Sequence, residues 1–411
     1  MALRQIALVP LFIHSWGLEY YGSWLVATSI PTMLSMTNVG LGTSANLRIA
    51  MAMVQDDRAA AQSAYSLSQA LTIILGVIVC CATYALSQIW PDSGVLFEPD
   101  VRPIAYSLMV ATVFIQMLAT PMLGWWTSIH RPSIGYHYFN FLQLSLFLST
   151  IALLISGGNA LNLILVQASI TGAWLCIFFL HTHKQPKLRH VKLLPRSWDW
   201  FIVKELVKKG AGHQLAPMWQ ALYFQGGTLL AAHILGAQGA ALWSSLRTAS
   251  RTANQATDVI SQGISTEIQL LSGENGREKM LALRRRSTRY ALAVATAIFI
   301  LMSIVGKTAF DYWTLKKFDV SFLTWILICS TAVPNSLWWI VSEFDRSTNK
   351  PWRINLFCLL SAILSLATSF YLGTKFGIIG FAIAYLQFEL VMLTFVTRFR
   401  IGGAPMSSGN S

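Results

Sequence analysis

Long apolar runs, cut at short intervals by polar punctuation, dominate this chain. Residues 68–88, 103–124, 137–156, 161–181, 288–306, 320–342, 354–373 and 376–397 are such runs, each close to the roughly 20 apolar helical residues needed to cross a bilayer core. Two less uniform runs, 20–40 and 213–235, have the same length, and 240–262 with a short N-terminal piece, 3–16, brings the predicted spans to twelve. Little chain is left between them, so the pattern predicts an all-α membrane protein without a soluble domain. The first run is too short: 14 residues rise about 21 Å, against a core of about 30 Å. The first helix is therefore expected to be short or truncated, with the natural chain starting upstream of Met1. Arg4 precedes the run and no small-residue cleavage site follows, so no cleavable signal peptide is expected.

Composition agrees: 54% of residues are apolar and 11% charged, where soluble domains carry roughly 25% charged residues. The five cysteines, Cys80, Cys81, Cys176, Cys329 and Cys358, lie in apolar runs without metal-ligand spacing, and read as packing residues. Sorting Lys and Arg by alternate loops places 23 on one face and five on the other, with Arg247 and Arg251 left inside a span. By the positive-inside rule both termini are cytoplasmic. The net charge of +13 is thus mostly topological and calls for no nucleic-acid partner. Basic clusters such as "LRRRSTR" and "KQPKLRHVK" favour anionic membrane lipids instead.

The chain repeats itself. Residues 119–126, "ATPMLGWW", and 332–339, "AVPNSLWW", both place Pro four residues before a Trp pair, in the fourth and tenth spans. Gly17 and Trp24 recur with the same spacing as Gly236 and Trp243, and Arg58 as Arg277. Two echoes in one order at similar offsets predict a six-plus-six duplication whose halves share an orientation, a parallel repeat. The expected organisation is an N-terminal six-helix lobe, 1–181; a basic cytoplasmic or interfacial linker, 182–212; a C-terminal six-helix lobe, 213–400; and a cytoplasmic tail, 401–411. Within the linker, "SWDWFIVKELVKK" has the aromatics and lysines of an interfacial helix. Pro31, Pro121, Pro217 and Pro334 fall inside spans and predict kinks.

One span is not uniformly apolar. At 100° per residue, Ser244, Arg247, Arg251, Asn254, Gln255, Asp258 and Gln262 share a helical sector of about 100°, opposite Leu242, Ala249, Ala253, Ala256 and Ile260. Three ionised groups at mid-bilayer would cost about 8–10 kcal/mol against lipid, so this face must line a watery cavity or pair internally. Arg251 and Asp258 are about 10 Å of rise apart, so one acid cannot neutralise both arginines. Spare positive charge then faces the interior, and guanidinium forks suit phosphate. The alternative is pairing with acids on other helices, where Glu389 is the one other acid well inside a predicted span. Asp258 and Glu389 are candidates either for exchange of H+ or Na+ or for simple pairing with arginine. Thr28, Thr32 and Ser35 form a milder polar face on the second span, while Arg131 and His137 fall near the cytoplasmic mouth. His137, His213 and the "GWW" and "SLWWI" aromatics read as interfacial or packing residues.

With these residues in view, the chain resembles the oligosaccharide-lipid flippases of bacterial polysaccharide biosynthesis, in the exporter superfamily that includes multidrug antiporters. The opening "VPLFIHSWGLEYYGSWLVATSI", the glycine-rich "TNVGLGTSANLRIAMA" and "RTASRTANQATDVISQGISTEIQLLSGE" carry the resemblance, in patches across most of the chain. Asn38 stands where that family often has an acid, so a role for the acid does not transfer. The resemblance implies a two-lobed transporter of the bacterial inner membrane moving undecaprenyl-diphosphate-linked glycan by alternating access. Arg247 and Arg251 would hold the diphosphate, Asn254, Gln255 and Gln262 would face glycan, and Asp258 or Glu389 would handle a coupling ion. No catalytic residues, cofactor or metal are expected. A cation-coupled multidrug exporter of the same superfamily is the nearest alternative, though it would prefer an acidic cavity. A membrane-embedded glycan polymerase or ligase comes third, since the outer loops, 89–102 and 307–319, are short.

Overall fold

The computed structural model describes residues 2–37, 39–89, 96–185, 188, 191–193, 195, 198–270, 277–347 and 351–401. Asn38 and tail residues 402–411 lie outside them, as do Met1 and parts of the 182–212 linker. Among the described residues every regular element is helical. In order these are α1 (Ala2–Thr37), α2 (Val39–Val54), α3 (Arg58–Ile89), α4 (Arg102–Ala119), α5 (Met122–Ser128), α6 (Pro132–Ile155), α7 (Ala160–Lys184), α8 (Trp200–Ala221), α9 (Gly227–Leu270), α10 (Arg277–Leu301), α11 (Lys307–Trp313), α12 (Phe322–Ser330), α13 (Ala332–Ser347), α14 (Pro351–Phe376) and α15 (Ile378–Ile401). π-helical turns at Leu222–Gly226 and Met302–Gly306 join α8 to α9 and α10 to α11. Nine described helical stretches are long and apolar enough to cross a membrane.

Two of the long helices fold back on themselves. Gly17 in α1 has φ 75° and ψ 176°, and Gly236 in α9 has φ 75° and ψ −177°, a region open essentially to glycine alone. Phe12 and Trp24 ring centroids are 6.5 Å apart, although twelve residues of straight helix would rise about 18 Å. A Cβ on Gly227 would lie 3.0 Å from Trp243 Nε1, across what would be about 24 Å of straight helix. Both glycines therefore close helical hairpins, and the run Leu215–Arg251, which counts as one apolar stretch, makes two passes. Counted this way the described helices make twelve passes, the predicted number. The two residues matched by sequence echo alone share one backbone conformation, which is what a parallel internal repeat requires.

The second echo is equally visible. α4 and α5 are separated at Thr120, and α12 and α13 at Thr331. Pro121 has no N–H for the carbonyl four residues back, and Met117 O instead accepts from Thr120 N at 3.1 Å. Gln69 Nε2 donates to Leu118 O at 2.7 Å beside the same break. Trp125, Trp126 and Trp338 are all buried, so these tryptophans pack rather than form an interfacial belt.

The chain divides into two compact units, Leu11–Gln225 and Gly226–Ser411 with Met1–Pro10. In the first, Tyr65, Trp125, Trp126, Trp174 and Phe178 build the core. Asp199 caps α8 by accepting from Phe201 N at 2.9 Å, and Arg48 pairs with Glu205. Trp200 and Phe201 are exposed while Ile202, Val203 and Leu206 are buried, the two-sided pattern of an interfacial helix. α8 nonetheless runs through residue 212 and past Pro217 to Ala221.

In the second unit the pass Phe322–Phe344 is the most enclosed, 61% of its apolar window being buried, against 17% for Glu278–Trp313. Prolines and π turns leave carbonyls here that tryptophans take up. Pro10 frees Ile6 O, which accepts from Trp313 Nε1 at 2.7 Å. Met302 O, at the start of a π turn, accepts from Trp325 Nε1 at 2.8 Å.

Candidate functional site

The stripe read from the sequence lies on the second limb of α9, unbroken helix from 237 to 270, so its seven residues do share a face. Ser244 and Arg247 are buried, the latter 8% exposed; Arg251, Asn254, Gln255 and Asp258 are half-buried; Gln262 is exposed. Access thus widens along the helix from Arg247 to Gln262. Among the described residues Asn254 Oδ1 is buried without a hydrogen-bond partner, the condition of an acceptor awaiting a donor.

Helices α10, α13 and α15 all pack on this limb. Near its start Trp243 packs against Phe381 and Tyr385 of α15, each at 5.5 Å between ring centroids. Farther along, Thr257 Oγ1 and Ser336 Oγ of α13 lie 2.7 Å apart, and Ser261 donates to Glu343 Oε2 at 3.4 Å.

Glu389, on α15, is 1% exposed. Its Oε2 accepts from Trp338 Nε1 at 2.6 Å and from Asn335 Nδ2 at 2.9 Å. Both donors are neutral and both come from α13, so the carboxylate is positioned by the helix that carries the tryptophan pair. Sequence reasoning missed Asn335, Trp338 and Glu343. The available signal was polarity at 335, 336 and 343 in an otherwise apolar span, together with the partner that a buried indole N–H requires.

The lesser candidates have other surroundings. Thr28, Thr32 and Ser35 donate to carbonyls of their own helix, Trp24 O, Thr28 O and Thr32 O, at 2.8, 2.7 and 2.7 Å. Arg131 and His137 are exposed, and the side chain of His213 is outside the described set. All five cysteines are free thiols. Among the described residues no group of three His, Cys, Asp or Glu side chains is placed to hold a metal.

No family model matches the chain, and no curated protein matches it significantly. Solved structures do. The chain is similar to an inward-facing multidrug resistance MATE family transporter of the MOP superfamily, with TM-score 0.80 and 12% identity over 98% of this chain and 96% of that one. It is similar to an outward-facing transporter of the same description at TM-score 0.66 and 13% identity, over 96% and 89% of the two chains. A third likeness, TM-score 0.62 and 12% identity over 96% and 93%, is to a MOP superfamily transporter from Pyrococcus furiosus described by the reverse polarity of its binding pocket and a different function. The chain therefore has the twelve-helix, two-lobed fold of the MATE-type membrane transporters.

Proposed function

We propose that this protein is a secondary transporter whose eighth pass presents a cationic, amide-rich face to an anionic, glycan-bearing substrate. Polyprenyl-diphosphate-linked oligosaccharide is the substrate class that uses every part of it. Arg247 and Arg251 supply paired charge-assisted hydrogen bonds to a diphosphate, Asn254, Gln255 and Gln262 meet sugar hydroxyls, and the prenyl tail stays in lipid. Asp258 or Glu389 handles H+ or Na+. The lobes, 1–181 and 213–400 joined by the basic linker 182–212, rock to expose the face alternately, with both termini in the cytoplasm and the protein in a bacterial inner membrane. The observation that carries this reading is two arginines on one helical face that closes at Arg247 and opens toward Gln262.

The structural neighbours favour a second reading, cation-coupled multidrug export, since the first two are described as multidrug resistance transporters. The Pyrococcus furiosus neighbour supports a divergent substrate on the same frame, being described by a pocket of reverse polarity. Transport of a short-chain polyprenyl-diphosphate glycan and of a cationic dye by the purified protein in proteoliposomes separates the two. We expect glycan-lipid translocation that Arg251→Ala and Arg251→Asp abolish without loss of folded protein, and that Arg251→Lys partly retains. Dye transport with full glycan movement by the Asp variant would overturn the anionic reading.

A further inference from the structure

α14 and α15 form an antiparallel hairpin that is tight at one end and open at the other. Near the Gly377 turn the helices touch: a Cβ on Gly373 would lie 2.6 Å from the Phe381 ring. Midway, Ser365 Oγ donates to Ala384 O at 2.8 Å. Toward the other end two rings, not two small side chains, separate the axes, Phe357 and Phe395 stacking at 3.7 Å and 11°. A groove of about 490 Å³ runs along this end of the hairpin, lined among others by Phe357, Ile383, Leu386, Leu390, Phe395 and Arg398. From Ile383 to Arg398 it covers about 22 Å of helix rise, the depth of one leaflet in a bilayer about 40–45 Å thick with its headgroups. The open end carries charge. Arg398 lies three residues beyond Phe395 and Arg353 four residues before Phe357, so each stands about one turn past the stacked pair, on the side its phenylalanine faces. Both are exposed, as is Trp352, an aromatic suited to headgroup depth. Among the described residues neither arginine forms an ion pair. α14 contains no Asp or Glu, and the one acid of α15, Glu389, is buried against α13.

We propose that this groove binds an anionic phospholipid of the leaflet at that end, with one acyl chain along α15 and the phosphate held by Arg353 and Arg398. Under the topology proposed above, that leaflet is the cytoplasmic one. The site is separate from the cationic face of α9 and does not depend on what that face transports. Depth and charge select the occupant. An acyl chain matches a groove one leaflet deep, whereas an undecaprenyl chain is far longer. Guanidinium forks bind phosphate through paired hydrogen bonds, and basic pockets between transmembrane helices hold anionic headgroups. A second copy of the chain, docking about a two-fold axis, would set the same two cations against their equivalents. Thr394 turns its hydroxyl to Leu390 O of its own helix at 2.8 Å, so between Ile383 and Phe395 the lining is apolar except at Gln387. That amide is the feature through which a second copy would pair instead.

The test is native mass spectrometry of the full chain in detergent, titrated with dioleoyl phosphatidylglycerol and with dioleoyl phosphatidylethanolamine. For the wild type we expect one phosphatidylglycerol to bind about 25-fold more tightly than phosphatidylethanolamine, about fivefold for each arginine. Arg353→Gln with Arg398→Gln should erase that preference. Leu390→Trp fills the groove from a position already 48% exposed, so the fold is kept while both lipids lose affinity. In the Leu390→Trp background the arginine substitutions should have no further effect, because one molecule answers to both ends. A preference kept in the double Gln variant, or losses that simply add between the two ends, overturns the site. So does a dimeric wild type that Gln387→Leu converts to monomers, which assigns the groove to a second copy. Tighter binding of undecaprenyl diphosphate than of phosphatidylglycerol, abolished by the same substitutions, assigns it to the transported lipid and overturns the proposal too. The anionic reading of α9 survives each of these outcomes.

Discussion

The second and eighth passes are one design used twice with different chemistry. Registered on their hairpin glycines, Gly17 and Gly236, and on Trp24 and Trp243, the residues Thr28, Thr32 and Ser35 of the first half align with Arg247, Arg251 and Asn254 of the second. The hydroxyls turn inward on their own helix and accept it as partner. Guanidinium and amide groups stand at the matching positions of the eighth pass. The tryptophan pairs diverge similarly. Trp126 Nε1 donates to the hydroxyl of Thr182 on α7 at 3.1 Å, and Trp338 Nε1 donates to the carboxylate of Glu389 on α15 at 2.6 Å. Each bond joins the fourth pass of a half to its sixth, neutral in one half and ionic in the other. The frame is carried by Gly, Pro and Trp, and the two halves differ in a few polar residues set on it.

The largest expected effect follows from giving the eighth pass the residues of the second. Arg247→Thr with Arg251→Thr introduces short hydroxyl side chains that can bond their own carbonyls, as Thr28 and Thr32 do, so folding should survive. Transport of polyprenyl-diphosphate glycan should fall at least 100-fold, as loss of two charge-assisted contacts of about 1.5–3 kcal/mol each implies. Export assays alongside quantified membrane levels check this, and retained transport would show that the asymmetry between halves carries no substrate chemistry.

The hairpin glycines come next. Beyond the neighbouring backbone, no atom of the described residues lies within 4 Å of a Cβ added at Gly17 or Gly236, so the penalty of alanine there is the backbone conformation, about 1–3 kcal/mol at each. Gly17→Ala and Gly236→Ala should lower the thermal midpoint by similar amounts, measured on purified protein in detergent. Clearly unequal losses would mean that the shared dihedrals hide different local support.

These glycines also mark what the sequence made legible and what it did not. Hydrophobic length gave the number of passes, and the echo of Gly17–Trp24 in Gly236–Trp243 predicted the repeat, because both follow from local rules: bilayer thickness and one strained backbone position. The amphipathic stripe was legible for the same reason, since helical periodicity alone puts its seven residues on one face. The partners of Glu389 were not. Asn335 and Trp338 are more than fifty residues from it in the chain, and register between helices is set by packing that no local pattern encodes. Trp338 read as an interfacial or packing residue, and its ring packs; its N–H is what the pattern hid. The continuity of α8 through residue 212 was not legible, because a basic, amphipathic stretch and a span can share one helix even across Gly210, Gly212 and Pro217.

The tryptophan bonds predict a smaller, graded difference. Trp126→Phe removes a neutral hydrogen bond, worth about 0.5–1.5 kcal/mol, and Trp338→Phe one to a carboxylate, worth about 1.5–3 kcal/mol, while both keep most of the ring. Trp338→Phe should therefore cost more stability at neutral pH, and the gap should narrow as the medium is acidified and Glu389 takes up a proton. Thermal midpoints of both variants across a pH series measure it. A gap that stays constant with pH would place the carboxylate outside the titrating range and weaken its assignment as the coupling group.

The smallest effect belongs to the neutral half. Thr32 Oγ1 donates to Thr28 O, a carbonyl that the helix ladder already engages, so removing the hydroxyl strands no buried group and Thr32→Ala should change stability by less than about 0.5 kcal/mol. Transport should be equally indifferent, although Thr32 aligns with Arg251. That contrast is the sharpest form of the comparison, because the two positions share a pass type and a place in the sequence repeat, and differ in side chain. If Thr32→Ala lowers glycan-lipid transport as Arg251→Ala does, the substrate is read by both halves and the polar chemistry is divided between them rather than concentrated on α9.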